Sequence, residues 1–549
     1  MAEERSSERV GRLLASLRLG SEPRRARETR PSFLPCGHGK GWVVYWPGSR
    51  TRGEGKRLRC GPLPSARDAY GARPCGRKDG VLARESGPQT NGRHRGENAF
   101  GTTSPARGLT QTWGERQRTG KTMMAAETSS EEWQARIVEM AHEARGAAET
   151  LGGAPTQLKN AALAAMAVRL QSRERDIVAA NAADIVRAQE NGLADPIVRR
   201  LEFGADRIAA RIRALAAIAA LPDPIGEIET VHSEDELTAV KRRVPIGVIG
   251  VIYEARPHVT VNAGALCLKS GNAVVLKGGS EALNCNRLLG ELWQQSLQQA
   301  GLPTCAIQVI GTSDRDAVRK LLSLDRLVDL IIPRGGPELI EAVMEQTCIP
   351  VIKHSHGICH VYVDAHADME KARAISFDSK TYAPAVCNAM ETLLVHREVA
   401  DEFLPSLAED LRSAGVALRG CGRTCALVPW AEAATEDDWR TEYLDLILAI
   451  RIVENLEEAV AHIARFGSGH TDAIASEDAE SIRQFVESVD SGVVLVNAST
   501  MFNDASRLGM GAEIGISSDK VHARGPMGLR ELTCQKWVIE GNGHVFGQA

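Results

Sequence analysis

Cys387 lies in Pro384-Ala385-Val386-Cys387-Asn388-Ala389-Met390-Glu391-Thr392, a short polar turn directly ahead of the strand-like run from Thr392 to Val395. A thiol offered from a turn can reach a bound carbonyl, whereas one inside an apolar run is usually packing material. Cys387 is therefore the candidate nucleophile, with a structural thiol as the competing reading of the local sequence. Two glycine-rich turns close apolar runs, Lys277-Gly278-Gly279-Ser280 and Pro333-Arg334-Gly335-Gly336-Pro337. Each lets backbone approach a phosphate closely while Lys277 or Arg334 supplies charge, and each is equally compatible with an ordinary tight turn.

Other motifs carry less. No complete G-x-G-x-x-G is present, so the standard dinucleotide fingerprint is absent. Gly120-Lys121-Thr122 has its preceding glycine, Gly114, one residue too far away for a phosphate loop. The alternating His354, His356 and His360 lack a second ligand cluster at metal-site spacing, and the sequence gives no metal site. Cys421-Gly422-Arg423-Thr424-Cys425 reads as a loop.

The elements that must position these residues follow from periodicity. From Ser129 to about Ala219 apolar residues recur at helical spacing, as in Glu132 to Leu151 and Gln157 to Asn181. Ile225 to Val244 alternates around the polar Ser233-Glu234-Asp235-Glu236 and reads as a projecting hairpin. Strand and helix patterns then alternate: Ile246 to Tyr253, Thr260 to Lys269, Ala273 to Lys277, Cys285 to Ala300, Ala306 to Ile310, Arg315 to Leu322 and Leu330 to Ile332. A second set runs through His360 to Val363, Leu393 to Val395, Leu446 to Val453 and Gly492 to Asn497. Such alternation predicts parallel sheets covered by helices, in two α/β domains with a cleft between them. Thr533 to Val545 reads as strand, turn, strand with Gly541-Asn542-Gly543 at the turn, able to pair with the hairpin of another subunit.

The chain's 549 residues, 43% hydrophobic, suffice for two or three domains. No apolar stretch approaches the roughly 18 residues of a membrane span, and twelve cysteines without paired spacing suit a reducing compartment, so a cytoplasmic protein is expected. The charge is unevenly divided. Residues 1–122 hold 25 Lys+Arg against 11 Asp+Glu, and the remainder holds 41 against 59. That first segment, rich in Arg, Gly, Pro and Ser without sustained periodicity, reads as a disordered basic extension over residues 1–124. A nucleic-acid tail and a targeting peptide are weaker readings, because aromatics are not interleaved and the acidic opening lacks an apolar core. Met123 or Met124, where the helical pattern begins, reads as an alternative start.

Several segments together carry a resemblance. Val248-Ile249-Gly250-Val251-Ile252-Tyr253-Glu254-Ala255-Arg256-Pro257, Leu266-Cys267-Leu268-Lys269-Ser270-Gly271-Asn272-Ala273, Ile331-Ile332-Pro333-Arg334-Gly335-Gly336, Gly357-Ile358-Cys359-His360-Val361-Tyr362-Val363-Asp364, Gly467-Ser468-Gly469-His470-Thr471-Asp472-Ala473-Ile474 and Gly511 through Leu529 resemble the gamma-glutamyl phosphate reductase family, or glutamate-5-semialdehyde dehydrogenases, of the aldehyde dehydrogenase superfamily. The resemblance runs from about residue 130 to the C-terminus and reverses the balance at Cys387, which falls on the family's catalytic cysteine. It implies an aldehyde dehydrogenase-like α/β fold: an NADP-binding domain over 125–355 with a projecting hairpin near 225–245, a catalytic domain over 356–525 and C-terminal oligomerisation strands over 526–549.

By the same resemblance, Lys277 would meet the adenosine ribose or its phosphate, and Glu442 the nicotinamide ribose. Gly278, Gly279, Arg334, Gly335 and Gly336 complete the cofactor set, and Arg256, Asn497, Ser499, Thr500 and Arg524 form the substrate set. The implied reaction is NADPH-dependent reduction of gamma-glutamyl phosphate to glutamate 5-semialdehyde through a Cys387 thioester, in proline biosynthesis. A homo-oligomer and a glutamate 5-kinase as functional partner follow, with neither membrane nor nucleic acid involved. This chain departs from the family at Ala383, His258 and Met501, where Arg, Asn and Arg are common. Arg256, Arg507 or Arg524 would then carry the substrate's charge. The turn His356-Gly357-Ile358-Cys359-His360 lacks the glutamate that activates water in acid-forming relatives, which fits phosphate as the acyl acceptor.

Overall fold

The computed structural model describes residues 129–546 apart from 232–236 and 355, together with the backbone of two short strands, β1 (Phe33–Pro35) and β2 (Trp42–Val44), which pair antiparallel in a separate N-terminal unit. The remainder of the extension over 1–124 and the acidic hairpin tip lie outside the described residues.

Residues 130–220 form five helices, four of which place residues in the first core. Ser129 opens the first with a capping box, its hydroxyl accepting from the Glu132 N–H while the Glu132 carboxylate accepts from the Ser129 N–H. The expected single helix from Gln157 to Asn181 is two, Thr156–Ser172 and Glu174–Glu190. Arg173 sits between them at φ −106, ψ 16, and the second helix restarts with Glu174 and Asp176 at its positive end. An apolar period alone cannot show such a break, because both helices keep one face on the same core.

The first parallel sheet has the order β7-β6-β5-β8, from β5 (Val248–Tyr253), β6 (Ala273–Gly278), β7 (Ile307–Val309) and β8 (Leu330–Arg334). Every residue of β5 and β6 is buried, as unbroken apolar runs in a sheet covered on both faces must be. The second sheet is also parallel, in the order β12-β11-β13-β10-β9-β14-β15. Its centre is β9 (Cys359–Val363), β10 (Met390–His396), β13 (Ile447–Val453) and β14 (Thr471–Ala475), flanked by β11 (Ala417–Gly420), β12 (Glu432–Ala433) and β15 (Val493–Val496). Ala512, Ile514, Met527, Leu529 and Leu532 return to the first core, so the chain crosses from the second half back to the first before it ends.

The projecting hairpin is β3 (Ile228–Val231) against β4 (Thr238–Pro245). The C-terminal segment forms one strand, Thr533–Glu540, where the sequence predicts two; it pairs along its whole length with β4 of its own chain, from Thr533 opposite Pro245 to Glu540 opposite Thr238. Gly543 adopts φ 82, and no strand follows it among the described residues. No helix among the described residues is long and apolar enough to cross a membrane.

Candidate active site

The helix Met369–Thr381 ends just before Pro384, which has no N–H to continue the helical ladder, and β10 begins at Met390. Two turns fill the gap, the Val386 N–H donating to Ala383 O and the Ala389 N–H to Val386 O, and Cys387 lies within the second. Asn388 anchors this turn by donating to Thr500 O at 3.1 Å and Asn503 O at 3.3 Å. On the other side Gly357 lies against it so closely that a Cβ would stand 2.0 Å from Cys387 O. The expected nucleophile is thus clamped between segments more than 100 residues apart.

The sulfur sits among four charges. Burial is the chief influence and pushes the thiol up to about 11; Arg334 and Arg256 attract the thiolate, while Glu513 and Glu442 oppose it. Glu442 is itself raised by burial, accepts from the Gly357 N–H and lies 3.8 Å from His356 Nδ1. Leu444, at φ 54, donates its N–H to Glu391, which is buried in an ion pair with Lys380 at 2.6 Å. Glu391, four residues beyond the sulfur, therefore ties the Glu442 loop to the strand that follows the cysteine.

Two histidines that sequence reasoning did not place at the site complete it. One ring nitrogen each of His354 and His470 and the Cys387 sulfur all lie within 4.8 Å of one another. Burial and the charge of Arg334 lower both rings, His354 to about 4 and His470 to about 3, so both are neutral at pH 7. His354 Nδ1 lies 3.1 Å from Ile516 O, an acceptor only, so Nδ1 carries the proton and Nε2 a lone pair.

Further arginines gather beside the cysteine turn. A cavity of about 480 Å³ is lined by Arg199, Arg200, Arg207, Arg211, Arg256 and His258 and floored by Ala385 and Val386 beside the cysteine. It shares Arg211 and His258 with a second cavity of about 490 Å³ that Arg334 and Glu513 also line. Ala255, at φ 41, donates its N–H to the Glu281 carboxylate and hands Arg256 into the first cavity. Burial, with Arg334 and Arg200 nearby, lowers Arg256 to about 10, and the side chain remains a cation. The departure His258 is lowered to about 3, mainly by burial, and is a neutral wall between arginines.

The remaining expected residues fall in two places. Asn497, Ser499, Met501 and Arg507 line a third cavity of about 630 Å³. Ser499 is 3.1 Å from Ser379 Oγ, Thr500 donates its N–H to Ser379 Oγ, and the Asn497 amide bonds both N–H and O of Ser476. Arg524 is engaged by Asp490 at 2.6 Å, by Ser518 O and by Gly469 O, so it ties three loops together beside His470. Lys277 and Gly278 end β6, with Lys277 Nζ donating to Gly278 O. Gly278 packs so tightly that a Cβ would meet Asn286 Nδ2 at 2.1 Å. Beyond it opens a cavity of about 240 Å³ lined by Arg187, Ser280, Glu281 and Ser313, with polar groups suited to a ribose or phosphate. Gly336 donates its N–H to Glu254, and Arg334 Nε is buried with no hydrogen-bond partner. These features fit a dinucleotide without the missing glycine fingerprint.

A model of the aldehyde dehydrogenase family matches residues 118–422. A gamma-glutamyl phosphate reductase of Moorella thermoacetica is 52% identical over 403 residues, covering 73% of this chain and 96% of that protein. The crystal structure of gamma-glutamyl phosphate reductase from Thermotoga maritima superposes with a TM-score of 0.72 at 43% identity, over 74% of this chain and 99% of that one. The glyceraldehyde-3-phosphate dehydrogenase of Methanocaldococcus jannaschii, crystallised with NADP, shares the fold at a TM-score of 0.56 and 16% identity, over 74% of this chain and 95% of that one.

Proposed function

The chain belongs to the aldehyde dehydrogenase family and, within it, to the gamma-glutamyl phosphate reductases, and from that membership we propose that it reduces gamma-glutamyl phosphate to glutamate 5-semialdehyde with NADPH, releasing phosphate. The observation that carries this reading is the arginine-lined cavity opening beside Cys387. A substrate bearing a carboxylate and an acyl phosphate needs several cations within one small volume, and an uncharged aldehyde does not. Arg256 stands between that cavity and the sulfur and holds the phosphate; Arg200 and Arg211 take the α-carboxylate.

Because the buried thiol is held up near 11, it reacts through the small thiolate fraction that Arg334 and Arg256 attract, its proton passing to solvent. His354, lowered to about 4, is too weak a base to hold that proton and stands beside the sulfur as a neutral ring. The thiolate attacks the acyl carbon, the C–O bond to phosphate breaks, and the departing phosphate takes a proton from solvent. The Cys387 N–H and Arg334 steady the oxyanion. Reduced nicotinamide, when bound, supplies the hydride to the thioester carbonyl. Collapse then expels the Cys387 thiolate, which takes a proton from solvent and restores the thiol.

Lys277, Gly278, Gly279 and Ser280 with Arg187 form the adenosine end of the NADPH site. Arg334, Gly335 and Gly336 flank its middle, and Glu442 meets the nicotinamide ribose. Arg187 donates to Ser280 O at 3.1 Å and has Asp184 at 2.6 Å; redirected to a 2′-phosphate, it favours NADPH over NADH. Asn497 and Ser499 line a cavity separate from the arginine-lined one, and Thr500 and Arg524 position rather than bind. A labile acyl phosphate calls for a kinase acting on the glutamate side-chain carboxylate close by, in the cytoplasm.

The test runs the reaction in reverse, following NADP reduction by glutamate 5-semialdehyde with and without inorganic phosphate. Phosphate-dependent turnover is expected. An equal rate without phosphate would assign the chain to acid-forming aldehyde oxidation instead.

A further inference from the structure

We propose that Cys387, His354 and His470 also form a chelating site for a thiophilic divalent cation, Zn²⁺ first among them, which masks the resting active site reversibly. The three donor atoms lie within 4.8 Å of one another and come from three separate segments. Two imidazoles and a thiolate make a nitrogen and sulfur set that Zn²⁺ prefers, with the fourth tetrahedral position left for water. Oxygen-seeking cations such as Mg²⁺ find no carboxylate in this set. Metal–ligand lengths of about 2.0–2.3 Å place tetrahedral donors roughly 3.5 Å apart, so the three donors draw together on binding.

Each imidazole is already oriented from behind, as metal-binding histidines are. His354 Nδ1 is committed to Ile516 O at 3.1 Å. His470 Nδ1 meets Thr471 Oγ1 at 2.7 Å, and that hydroxyl accepts from Asn503 Nδ2 at 2.6 Å. His470 is fully buried, and its Nε2 has no hydrogen-bond partner. A buried nitrogen without a partner is costly to keep, and a cation in the cluster would satisfy it.

Binding forms one metal–sulfur and two metal–nitrogen bonds; the Cys387 S–H bond breaks, and its proton passes to solvent with no change of oxidation state. The cation thereby occupies the sulfur that acyl transfer needs. The site shares Cys387 with the proposed reaction but does not depend on its substrate.

The metal-free full-length chain is titrated with Co²⁺ and then Zn²⁺, following the thiolate-to-cobalt charge-transfer absorption, while iodoacetamide alkylation of Cys387 is followed by peptide mass spectrometry. One cobalt per chain is expected, with the absorption lost in Cys387→Ala and affinity reduced roughly tenfold or more in His354→Gln and His470→Gln. Zn²⁺ should slow alkylation of Cys387 in the unaltered chain, and EDTA should restore it. This second measurement holds even if the buried His470 variant folds poorly. Charge-transfer absorption persisting in Cys387→Ala, or alkylation indifferent to Zn²⁺, overturns the proposal. Neither outcome touches the phosphate dependence on which the reductase reading is judged.

Discussion

At the scale of single residues, Cys387 is a proposed nucleophile that its surroundings hold in reserve. Burial outweighs the pull of Arg334 and Arg256, leaving the thiol near 11. Because the folded pKa lies above the working range, the thiolate fraction of the free enzyme climbs about tenfold per pH unit through neutrality. Iodoacetamide modification of Cys387 should therefore rise steadily from pH 7 to pH 9, and a plateau below pH 8 would show an activated resting thiolate instead. Arg256→Gln removes the cation between cavity and sulfur. It should raise the KM for phosphate in the reverse reaction by about 10- to 100-fold, the ~1.5–3 kcal/mol of a charged hydrogen bond, and an unchanged KM would shift phosphate recognition to Arg334.

The cysteine was legible because a turn and a family motif both point to it. His354, His470 and Arg211 were not, because they converge only after the sheets form. The alternating His354, His356 and His360 carry no metal site in the sequence; His360 is buried against Asp472 at 2.8 Å while His354 meets a ring from 116 residues further on. Sequence spacing carries no trace of that meeting.

Among the elements, the strands were the readable part. β5, β6 and β8 fall within a few residues of the expected runs, because a strand buried on both faces must be continuously apolar. The loops that cradle the sulfur follow no such rule. Gly357 is required by contact, and Gly357→Ala would press a Cβ against a backbone oxygen that cannot rotate away. A cost of about 1–3 kcal/mol is expected, with reduced kcat as the Cys387 turn is displaced. Measured by thermal unfolding and turnover, an unaltered kcat would free the turn from that clamp. The Lys380–Glu391 pair behind the turn is fully buried, and burial raises Glu391 despite its partner. Lys380→Met leaves an uncompensated buried carboxylate and should cost about 3–5 kcal/mol, much of it recovered in the double variant with Glu391→Gln. Additive losses in the two single variants would show that the pair does not act as a unit.

For the whole molecule, the two parallel sheets follow the sequence expectation, whereas the return of Ala512–Leu532 to the first core does not. The residues of that return are few, and their apolar pattern is the same whichever core receives them. The C-terminal strand completes the hairpin sheet within its own chain, and Ile228, Trp537 and Ile539 remain exposed on that sheet. Exposed large side chains on an antiparallel ribbon suit a subunit contact, so Trp537→Glu with Ile539→Glu should reduce the mass seen by light scattering. An unchanged mass would move any subunit contact elsewhere.

The central claim is that the acyl group rests on the Cys387 sulfur between phosphate and hydride chemistry. The direct test mixes the enzyme with glutamate 5-semialdehyde and NADP in the absence of phosphate, quenches with acid and weighs the Cys387 peptide. One equivalent of NADPH per site and a hydroxylamine-labile glutamyl adduct on that peptide are predicted, with both absent in Cys387→Ala. An unmodified peptide during continued turnover, or normal turnover by the alanine variant, would contradict the account.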